Sequence, residues 1–140
     1  MSQNRLQIRI YNKTDAEEVI LLWEKCGLIT TGNDPMADIR LKTDFQRELF
    51  FIGIHNSKIT ATLMAGYDGH RGWFNYFGVL PEFQGKGFGR EMSGHAVSVL
   101  KKMGCPKINI QVRNTNLHVI GFYKEIGFTD HEVTSLQMKL

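Results

Sequence analysis

The sequence predicts an α+β fold, that is, a mixed α/β protein whose sheet is mostly antiparallel. Three apolar runs rich in β-branched and aromatic residues follow one another in the middle of the chain, separated only by short turns. Such a succession indicates an antiparallel meander. Segments with helical periodicity precede and follow the meander, so helices and strands are expected to share a core. The chain has 140 residues, and a single domain over residues 1–140 is expected.

The first two predicted elements are a strand and a helix. Residues 7–11 alternate polar and apolar side chains, which is typical of a strand. Thr14 is then predicted to cap a helix, with Glu17 completing a capping box. Gly27 is predicted to end this helix. The residues expected to face the core recur at helical spacing: Val19, Ile20, Leu22 and Trp23.

The remaining elements follow from the same patterns. After a loop over residues 28–36, the expected order is helix Met36–Arg47, strands Leu49–Ile54, Ile59–Tyr67 and Trp73–Val79, a helix from the turn 84–89 to Lys102, strand Lys107–Val112, helix Leu117–Ile126 and strand Val133–Lys139. Gly127 is predicted to close the helix that precedes the last strand.

Composition and charge argue against several classes of protein. The chain has 42% hydrophobic and 22% charged residues, and no apolar run approaches the roughly 20 residues that span a membrane. The polar residues 1–7 lack the apolar core of a secretory signal, so a cytoplasmic protein without a membrane partner is expected. The net charge of +3 is not concentrated in a basic stretch, so no nucleic-acid partner is expected.

The cysteines do not predict a metal site. Cys26 and Cys105 are the only two, and no CxxC spacing is present, so no metal cofactor is expected. Two idle thiols in a reducing compartment are the simplest interpretation. A disulfide or a catalytic cysteine are the alternatives.

A glycine-rich turn is the most informative segment. Glycine lets a ligand approach the backbone, and the free amides at a helix start, with the positive end of the helix dipole, bind phosphate. Lys86 and Arg90 can add charged contacts. The alternative is a tight turn without a ligand, whereas a Walker loop and a dinucleotide fingerprint do not fit the spacing. The turn leaves a predicted strand and opens a predicted helix with the residues Gln84, Gly85, Lys86, Gly87, Phe88, Gly89 and Arg90.

Two motifs together resemble those of the GNAT N-acetyltransferases. One is Val79-x-Pro81-Glu82 followed by Gln84-x-x-Gly87-x-Gly89, which is similar to the acetyl-CoA signature of that family. The other, Asn116-x-x-Val119-Ile120-x-Phe122-Tyr123-x-x-x-Gly127-Phe128, resembles the family's second motif. The resemblance covers nearly the whole chain, because the order of elements matches from end to end, although the first 50 residues match in pattern only.

The resemblance implies a three-layer α/β/α fold whose fourth and fifth strands splay apart, with the pantetheine arm of acetyl-CoA in the gap. In this sequence those strands are Trp73–Val79 and Lys107–Val112. Amides across residues 85–90 would hold the pyrophosphate, and Asn116 would contact the cofactor from the other side. Backbone groups that would pair with the pantetheine amides, like an added strand, are those of Phe77, Gly78 and Val79.

Tyr123 is the expected general acid. Acetyl transfer needs a neutral amine, a stabilised thioester oxygen and a proton for the departing thiolate. Tyr123 lies seven residues after Asn116, where the resemblance implies the acid. The alternative is that Tyr123 only packs a helix face beside Phe122.

The sequence does not supply the general base that similar enzymes carry. Peptide N-terminal acetyltransferases that look similar in this region have a glutamate five residues before the asparagine, where this chain has Gln111. An amide cannot accept a proton at neutral pH, so Gln111 can only orient a water or the amine. The fourth strand carries no carboxylate at its middle, where Asn75 is a candidate for substrate contact.

The turn before the fourth strand supplies other candidates. His70 could take a proton from an ammonium group, and Asp68 or Arg71 could recognise the charge of the acceptor. Strand geometry puts this turn roughly 20 Å from the predicted pyrophosphate site, at the acceptor end of the cleft. The alternatives are a plain hairpin turn, which Asp-Gly favours, and proton loss to water. Asp34 would suit a cationic acceptor unless it only starts a helix.

The sequence thus favours an acetyl-CoA-dependent N-acetyltransferase that moves the acetyl group directly to a primary amine in a ternary complex. The acceptor is either a small-molecule amine or a peptide N-terminus, and a homodimer is compatible with the resemblance. The alternative function is a catalytically weak acyl-CoA-binding regulatory module, which Gln111 favours and Tyr123 disfavours.

Overall fold

The structure is a computed structural model that describes residues 5–140, and the chain divides into two compact units after Asn109. Elements of the first unit are β1 (Gln7–Ile10), α1 (Ala16–Lys25), α2 (Pro35–Thr43), β2 (Phe50–His55), β3 (Lys58–Tyr67), β4 (Gly72–Val79) and α3 (Phe88–Lys102). Strand β5 (Ile108–Ile110) spans the boundary, and α4 (Leu117–Glu125) belongs to the second unit. No helix among residues 5–140 is both long and apolar enough to cross a membrane.

The five strands form one sheet in the order β1-β2-β3-β4-β5. Each neighbouring pair from β1 to β4 is antiparallel. The predicted meander and the α+β class are therefore confirmed. Strand β5 is shorter than predicted, with three residues.

Helices cover both faces of the sheet in the first unit. Side chains alternate between the two faces along a strand, so neighbouring residues of β2 meet different helices. Phe50 packs against Trp23 of α1 with ring centroids 6.2 Å apart, in a core that also holds Ile39 of α2. Phe51 meets His95 of α3 at 4.8 Å on the other face. The first unit therefore has the three α/β/α layers that the sequence predicts.

The start of α1 differs from the prediction. A short 3₁₀ turn, Lys13–Asp15, precedes the helix, so Thr14 does not cap it. The carboxylate of Asp15 accepts hydrogen bonds from the backbone N–H of Asn12 at 2.8 Å and from the Arg9 guanidinium at 2.7 and 2.9 Å. Because the two carboxylate oxygens accept from Asn12 and Arg9 at the same time, the side chain of Asp15 links the start of the turn to β1. The arginine pair and the Asn12 amide lower the pKa of Asp15.

The end of α1 confirms the prediction for Gly27. Gly27 has a φ of +69°, a left-handed conformation that favours glycine. The backbone N–H of Leu28 returns to the carbonyl oxygen of Trp23 at 2.9 Å. The helix therefore ends in the manner typical of a C-terminal glycine.

Helix α2 ends four residues earlier than predicted, at Thr43 rather than Arg47. Gln46 adopts a φ of +55°, which is incompatible with a continuing helix. Its side-chain amide pairs with the backbone of Tyr67, donating at 2.7 Å and accepting at 2.9 Å. This long-range pairing to the end of β3 explains the early termination.

The prediction of a strand over Val133–Lys139 is wrong. Residues 128–140 contain neither a helix nor a strand. The side chains of Val133, Leu136 and Met138 are 80–89% exposed. Alternation alone does not make a strand, because its backbone groups need a pairing partner. Within residues 110–140 no such partner strand is present.

Candidate active site

The glycine-rich turn lies between β4 and α3, as predicted. The side chain of Gln84 donates to the carbonyl oxygen of Val79 at 3.0 Å and so ties the turn to the end of β4. Gly85 and Gly87 have φ values of +78° and +86°, where a side chain would be strained. A Cβ atom built at either glycine would have no heavy atom within 4 Å. The turn is therefore a bare loop with open space in front of its backbone.

Helix α3 presents its first amides at this turn. The first intrahelical bond runs from the N–H of Glu91 to the carbonyl oxygen of Gly87 at 3.1 Å, so the N–H groups of residues 88–90 have no carbonyl acceptor within the helix. The ring of Phe88 is buried at 1% exposure and anchors the helix start, whereas Lys86 and Arg90 are exposed. The site thus combines helix amides with two cationic side chains.

A β-bulge interrupts β4 just before this turn. Met64 of β3 pairs with Asn75, whereas Thr62 pairs with Gly78, so two residues of β4 face the single residue Leu63. Tyr76 lies in the bulge with a φ of +46°, an uncommon conformation for a residue with a side chain. Bulges bend a strand and are frequent beside active sites.

A buried hydrogen-bond chain holds the bulge. The indole N–H of Trp23 donates to the hydroxyl of Thr62 at 2.9 Å, and that hydroxyl donates to the carbonyl oxygen of Tyr76 at 2.9 Å. The ring of Tyr76 stacks on Trp23 with centroids 3.7 Å apart. Since Trp23 and Thr62 are fully buried, α1 fixes both the backbone and the ring of the bulge residue.

The end of β4 packs against the end of α1. A Cβ atom at Gly78 would lie 3.1 Å from both the Cys26 sulfur and a Leu28 methyl carbon, so these side chains pack closely on the backbone of Gly78. The Cys26 thiol donates to the carbonyl oxygen of Val79 at 3.2 Å, and burial raises its pKa to about 11. A thiol with that pKa is a poor nucleophile at neutral pH. Cys105 is also a free thiol.

A cavity of about 600 Å³ opens between α2 and the middle of β4. At one end, the hydroxyl of Tyr76 donates to the carboxylate of Asp38 at 2.6 Å and accepts from the side-chain amide of Asn33 at 2.6 Å. Burial, with the hydrogen bond to Asp38, raises the pKa of Tyr76 to about 12. The predicted candidate Asn75 also lines this cavity.

The other side of the cavity is largely apolar. Leu41 and Phe45 are 71% and 64% exposed, and Met64 lies at the base with 8% exposure. Lys42 also lines the cavity, and its ammonium group donates to the carbonyl oxygen of Ala65. Burial lowers the pKa of Lys42.

The predicted residues of the β3–β4 hairpin lie outside this cavity. Asp68 accepts hydrogen bonds from the backbone N–H groups of His70 at 2.8 Å and Arg71 at 2.6 Å, which closes the turn. His70 is exposed, and four residues of β4 at about 3.3 Å each separate Gly72 from the bulge residue Tyr76. The carboxylate of Asp68 therefore has a structural use, and the role of His70 stays a prediction.

Asp34 also has a structural use, as the N-cap of α2. Its carboxylate accepts the backbone N–H of Ala37 at 3.1 Å, and Pro35 occupies the first helical position. The sequence left open that Asp34 only starts a helix, and this capping contact gives that alternative a structural basis. The acidic residue that reaches the cavity is Asp38, one turn further along α2.

In the second unit, α4 carries the expected general acid. Tyr123 is 8% exposed, packs edge-on against Phe128 with centroids 5.7 Å apart, and has its pKa raised to about 12 by burial. Asn116 caps α4 by accepting the N–H of Val119 at 3.4 Å. The side-chain amide of Gln111 donates to the hydroxyl of Ser135 at 2.6 Å.

Sequence reasoning missed Asp38, the apolar pair Leu41 and Phe45, and the bulge at Tyr76. Asp38 follows Asp34 by one helical turn, so an acidic face at the start of α2 was visible in the sequence. Its contact with Tyr76, 38 residues away, had no local signal. Leu41 and Phe45 lie four residues apart in the helix predicted over Met36–Arg47, and this spacing places two large apolar side chains on one face, a signal that the sequence did contain.

The comparisons with known proteins agree with this fold. The profile of the Acetyltransferase (GNAT) family matches residues 16–128. The chain is 42% identical over 135 residues to an acetyltransferase of Yersinia pseudotuberculosis, covering 96% of each protein. The chain belongs to the GNAT acetyltransferase family, as the sequence motifs predicted, and it is an N-acetyltransferase by class. That family uses acetyl-CoA.

Solved structures share the fold at low identity. The PaiA N-acetyltransferase of Thermoplasma acidophilum in complex with coenzyme A superposes with a TM-score of 0.75 at 17% identity, covering 96% of this chain and 94% of that chain. The ribosomal-protein-S18-alanine N-acetyltransferase of Escherichia coli gives a TM-score of 0.74 at 21% identity, covering 89% and 77%. At these identities the similarity demonstrates the fold alone.

Proposed function

We propose that this protein transfers an acetyl group from acetyl-CoA directly to a primary amine within a ternary complex. The observation that carries the proposal is the bare turn at Gly85 and Gly87, which precedes the free amides of α3. A diphosphate is the ligand that such a helix start favours. The coenzyme A in the complex of the PaiA neighbour supports the same cofactor here.

The cofactor would be held mainly by backbone groups. Amides across residues 85–90 would bind the pyrophosphate, with Lys86 and Arg90 adding charge-assisted contacts. The pantetheine arm would lie along the end of β4, over residues 77–79, as the resemblance implies. The carbonyl oxygen of Val79 would contribute less to pantetheine binding than expected, because it already accepts hydrogen bonds from Cys26 and Gln84.

The reaction releases one proton overall. The ammonium form of the acceptor loses a proton, its nitrogen forms a bond to the acetyl carbon, and the carbon–sulfur bond breaks. The amide nitrogen loses a second proton, and the departing thiolate takes one up. We assign that donation to Tyr123, whose pKa of about 12 keeps its hydroxyl protonated at physiological pH.

We consider two acceptors for the proton that the ammonium group loses. His70 is the side chain that the sequence offers, and its exposed position in the β3–β4 turn would require a chain of several waters between it and the amine. Loss of the proton directly to water is the other form, since an amine with a pKa near 8 is partly neutral at pH 7.

The second candidate function is an acyl-CoA-binding module without turnover. Gln111, which donates to Ser135 where similar enzymes carry a glutamate, is the observation that favours it. A thiol-release assay with acetyl-CoA and a panel of amines and short peptides separates the two functions. Amine-dependent thiol release is expected of the enzyme, whereas coenzyme A binding without release with any acceptor would identify the module.

A further inference from the structure

The cavity between α2 and β4 has one polar end that carries a negative charge. Asp38 accepts the hydrogen bond that the Tyr76 hydroxyl donates, and Asn33 donates to the same hydroxyl oxygen. The tyrosine hydroxyl is thus oriented from both sides, and its ring is fixed on Trp23. The hydrogen-bond donor that faces the carboxylate of Asp38 is therefore a neutral group.

The lysine that lines the same cavity does not pair with this carboxylate. Lys42 lies one helical turn after Asp38, at the spacing at which opposite charges commonly pair. Its ammonium group instead donates to the carbonyl oxygen of Ala65. Because burial lowers the pKa of Lys42, the lysine also keeps its charge less readily than an exposed one. The charge of Asp38 is thus available to a ligand.

The opposite side of the cavity exposes apolar surface. Leu41 of α2 and Phe45, which follows the helix, are large hydrophobic side chains that remain mostly exposed and line the cavity together with Met64. An apolar group seated between them would remove this surface from water. A ligand that satisfies both ends has a positive charge and an apolar body.

We propose that this cavity binds the acetyl acceptor and selects an aryl- or alkyl-amine, with its ammonium group at Asp38 and its apolar body against Leu41 and Phe45. The proposal rests on the proposed function, because it names the substrate class of the same transfer. An acceptor with a carboxylate beside its amine, such as a free amino acid, is disfavoured by repulsion from Asp38. A peptide N-terminus has no such carboxylate, and its selection would depend on the apolar end.

A matched pair of amines tests the charge at Asp38. Phenethylamine and phenylalanine differ only by the carboxylate, so the wild-type protein is expected to prefer phenethylamine at least about tenfold in kcat/KM. Asp38→Asn is expected to raise the KM for phenethylamine about tenfold and to reduce the ratio of kcat/KM for phenethylamine to that for phenylalanine. The KM for acetyl-CoA should stay within about twofold of the wild-type value. Asp44→Asn, which removes an exposed carboxylate at the end of the same helix, is the control. It should change neither the KM for phenethylamine nor the preference for phenethylamine over phenylalanine.

Phe45→Ala tests the apolar end independently of the charge. It is expected to raise the KM for phenethylamine several-fold while leaving that for ethanolamine unchanged, since ethanolamine has no apolar body. Thermal unfolding of each variant checks that the fold is intact.

Several outcomes would overturn the inference. These are a wild-type preference for phenylalanine, an unchanged KM and selectivity in Asp38→Asn, or thiol release with other acceptors but none with phenethylamine. Calorimetry with coenzyme A separates this failure from that of the proposed function. Bound coenzyme A with acceptor turnover indifferent to Asp38 refutes only the inference, whereas no coenzyme A binding refutes the function on which it rests.

Discussion

The hydroxyl of Tyr76 donates to the carboxylate of Asp38 at 2.6 Å and so joins the bulge of β4 to helix α2. The same hydroxyl accepts from Asn33, which lies in the loop before that helix. The backbone of Tyr76 is held in turn by Thr62, and its ring by Trp23. One residue therefore connects the strand distortion at the end of β4 with the negatively charged wall of the cavity.

Removing this hydroxyl tests the connection. Tyr76→Phe keeps the ring on Trp23 and leaves Asp38 without its donor, so the carboxylate becomes free to rotate. We expect the KM for a cationic amine to rise several-fold, with the KM for acetyl-CoA unchanged, in steady-state thiol-release assays. Tyr67→Phe is the matched control, since the hydroxyl of Tyr67 makes only a 3.5 Å contact with the carbonyl oxygen of Gly104. Equal effects of the two variants would contradict a role for Tyr76 in the cavity.

Tyr123→Phe tests the general acid. Loss of the hydroxyl is expected to lower kcat by roughly 10²- to 10⁴-fold with little change in the affinity for acetyl-CoA, because the ring and its packing against Phe128 are retained. The pKa of about 12 also predicts that deprotonation of Tyr123 causes no loss of wild-type activity between about pH 7 and 10. Unchanged turnover in the variant would remove Tyr123 from the chemistry.

His70→Ala tests the base that the sequence predicts. The imidazole lies in an exposed turn that Asp68 closes through backbone amides, so its removal leaves the turn intact. If His70 takes the proton from the acceptor, kcat/KM for the amine falls about 10²-fold in steady-state thiol-release assays. Full activity of the variant would leave water as the proton acceptor and give the turn a structural role.

The pair of Arg9 and Asp15 predicts how stability changes with pH. The pKa of Asp15 is lowered in the folded state, first by its hydrogen bond with Arg9. Its stabilising contribution is therefore complete above the unfolded pKa of about 3.9 and is lost as the pH falls through the lower, folded pKa. The difference in the free energy of unfolding between wild type and Asp15→Asn, measured with urea, should shrink from pH 7 to pH 3. Arg9→Gln should show the same trend, and a constant difference for both would contradict the pairing.

Local chemistry explains what the sequence could predict. Gly27, Gly85 and Gly87 occupy left-handed positions, where the demand for glycine is a property of the single residue. The meander and helix α3 follow from periodicity that continues over many residues. These features need no knowledge of distant contacts, so they were found with approximately correct boundaries.

Long-range contacts explain what the sequence could not predict. The early end of α2 depends on the pairing of Gln46 with Tyr67, and the cavity wall depends on Asp38 meeting Tyr76. The alternation of Val133–Lys139 was misleading for the same reason, because whether a strand forms depends on a partner elsewhere. The site could thus be located by its motifs, but its acceptor side could not.

Titration calorimetry with coenzyme A tests the cofactor site most directly. Coenzyme A and pantetheine share the thiol arm, and only coenzyme A carries the pyrophosphate. The wild-type protein is expected to bind coenzyme A at least about tenfold more tightly than pantetheine, and Gly87→Val, which forces a branched side chain into a φ of +86°, is expected to abolish that preference. Equal affinities of the wild-type protein for the two ligands, or no heat with coenzyme A, would contradict a diphosphate site at the start of α3.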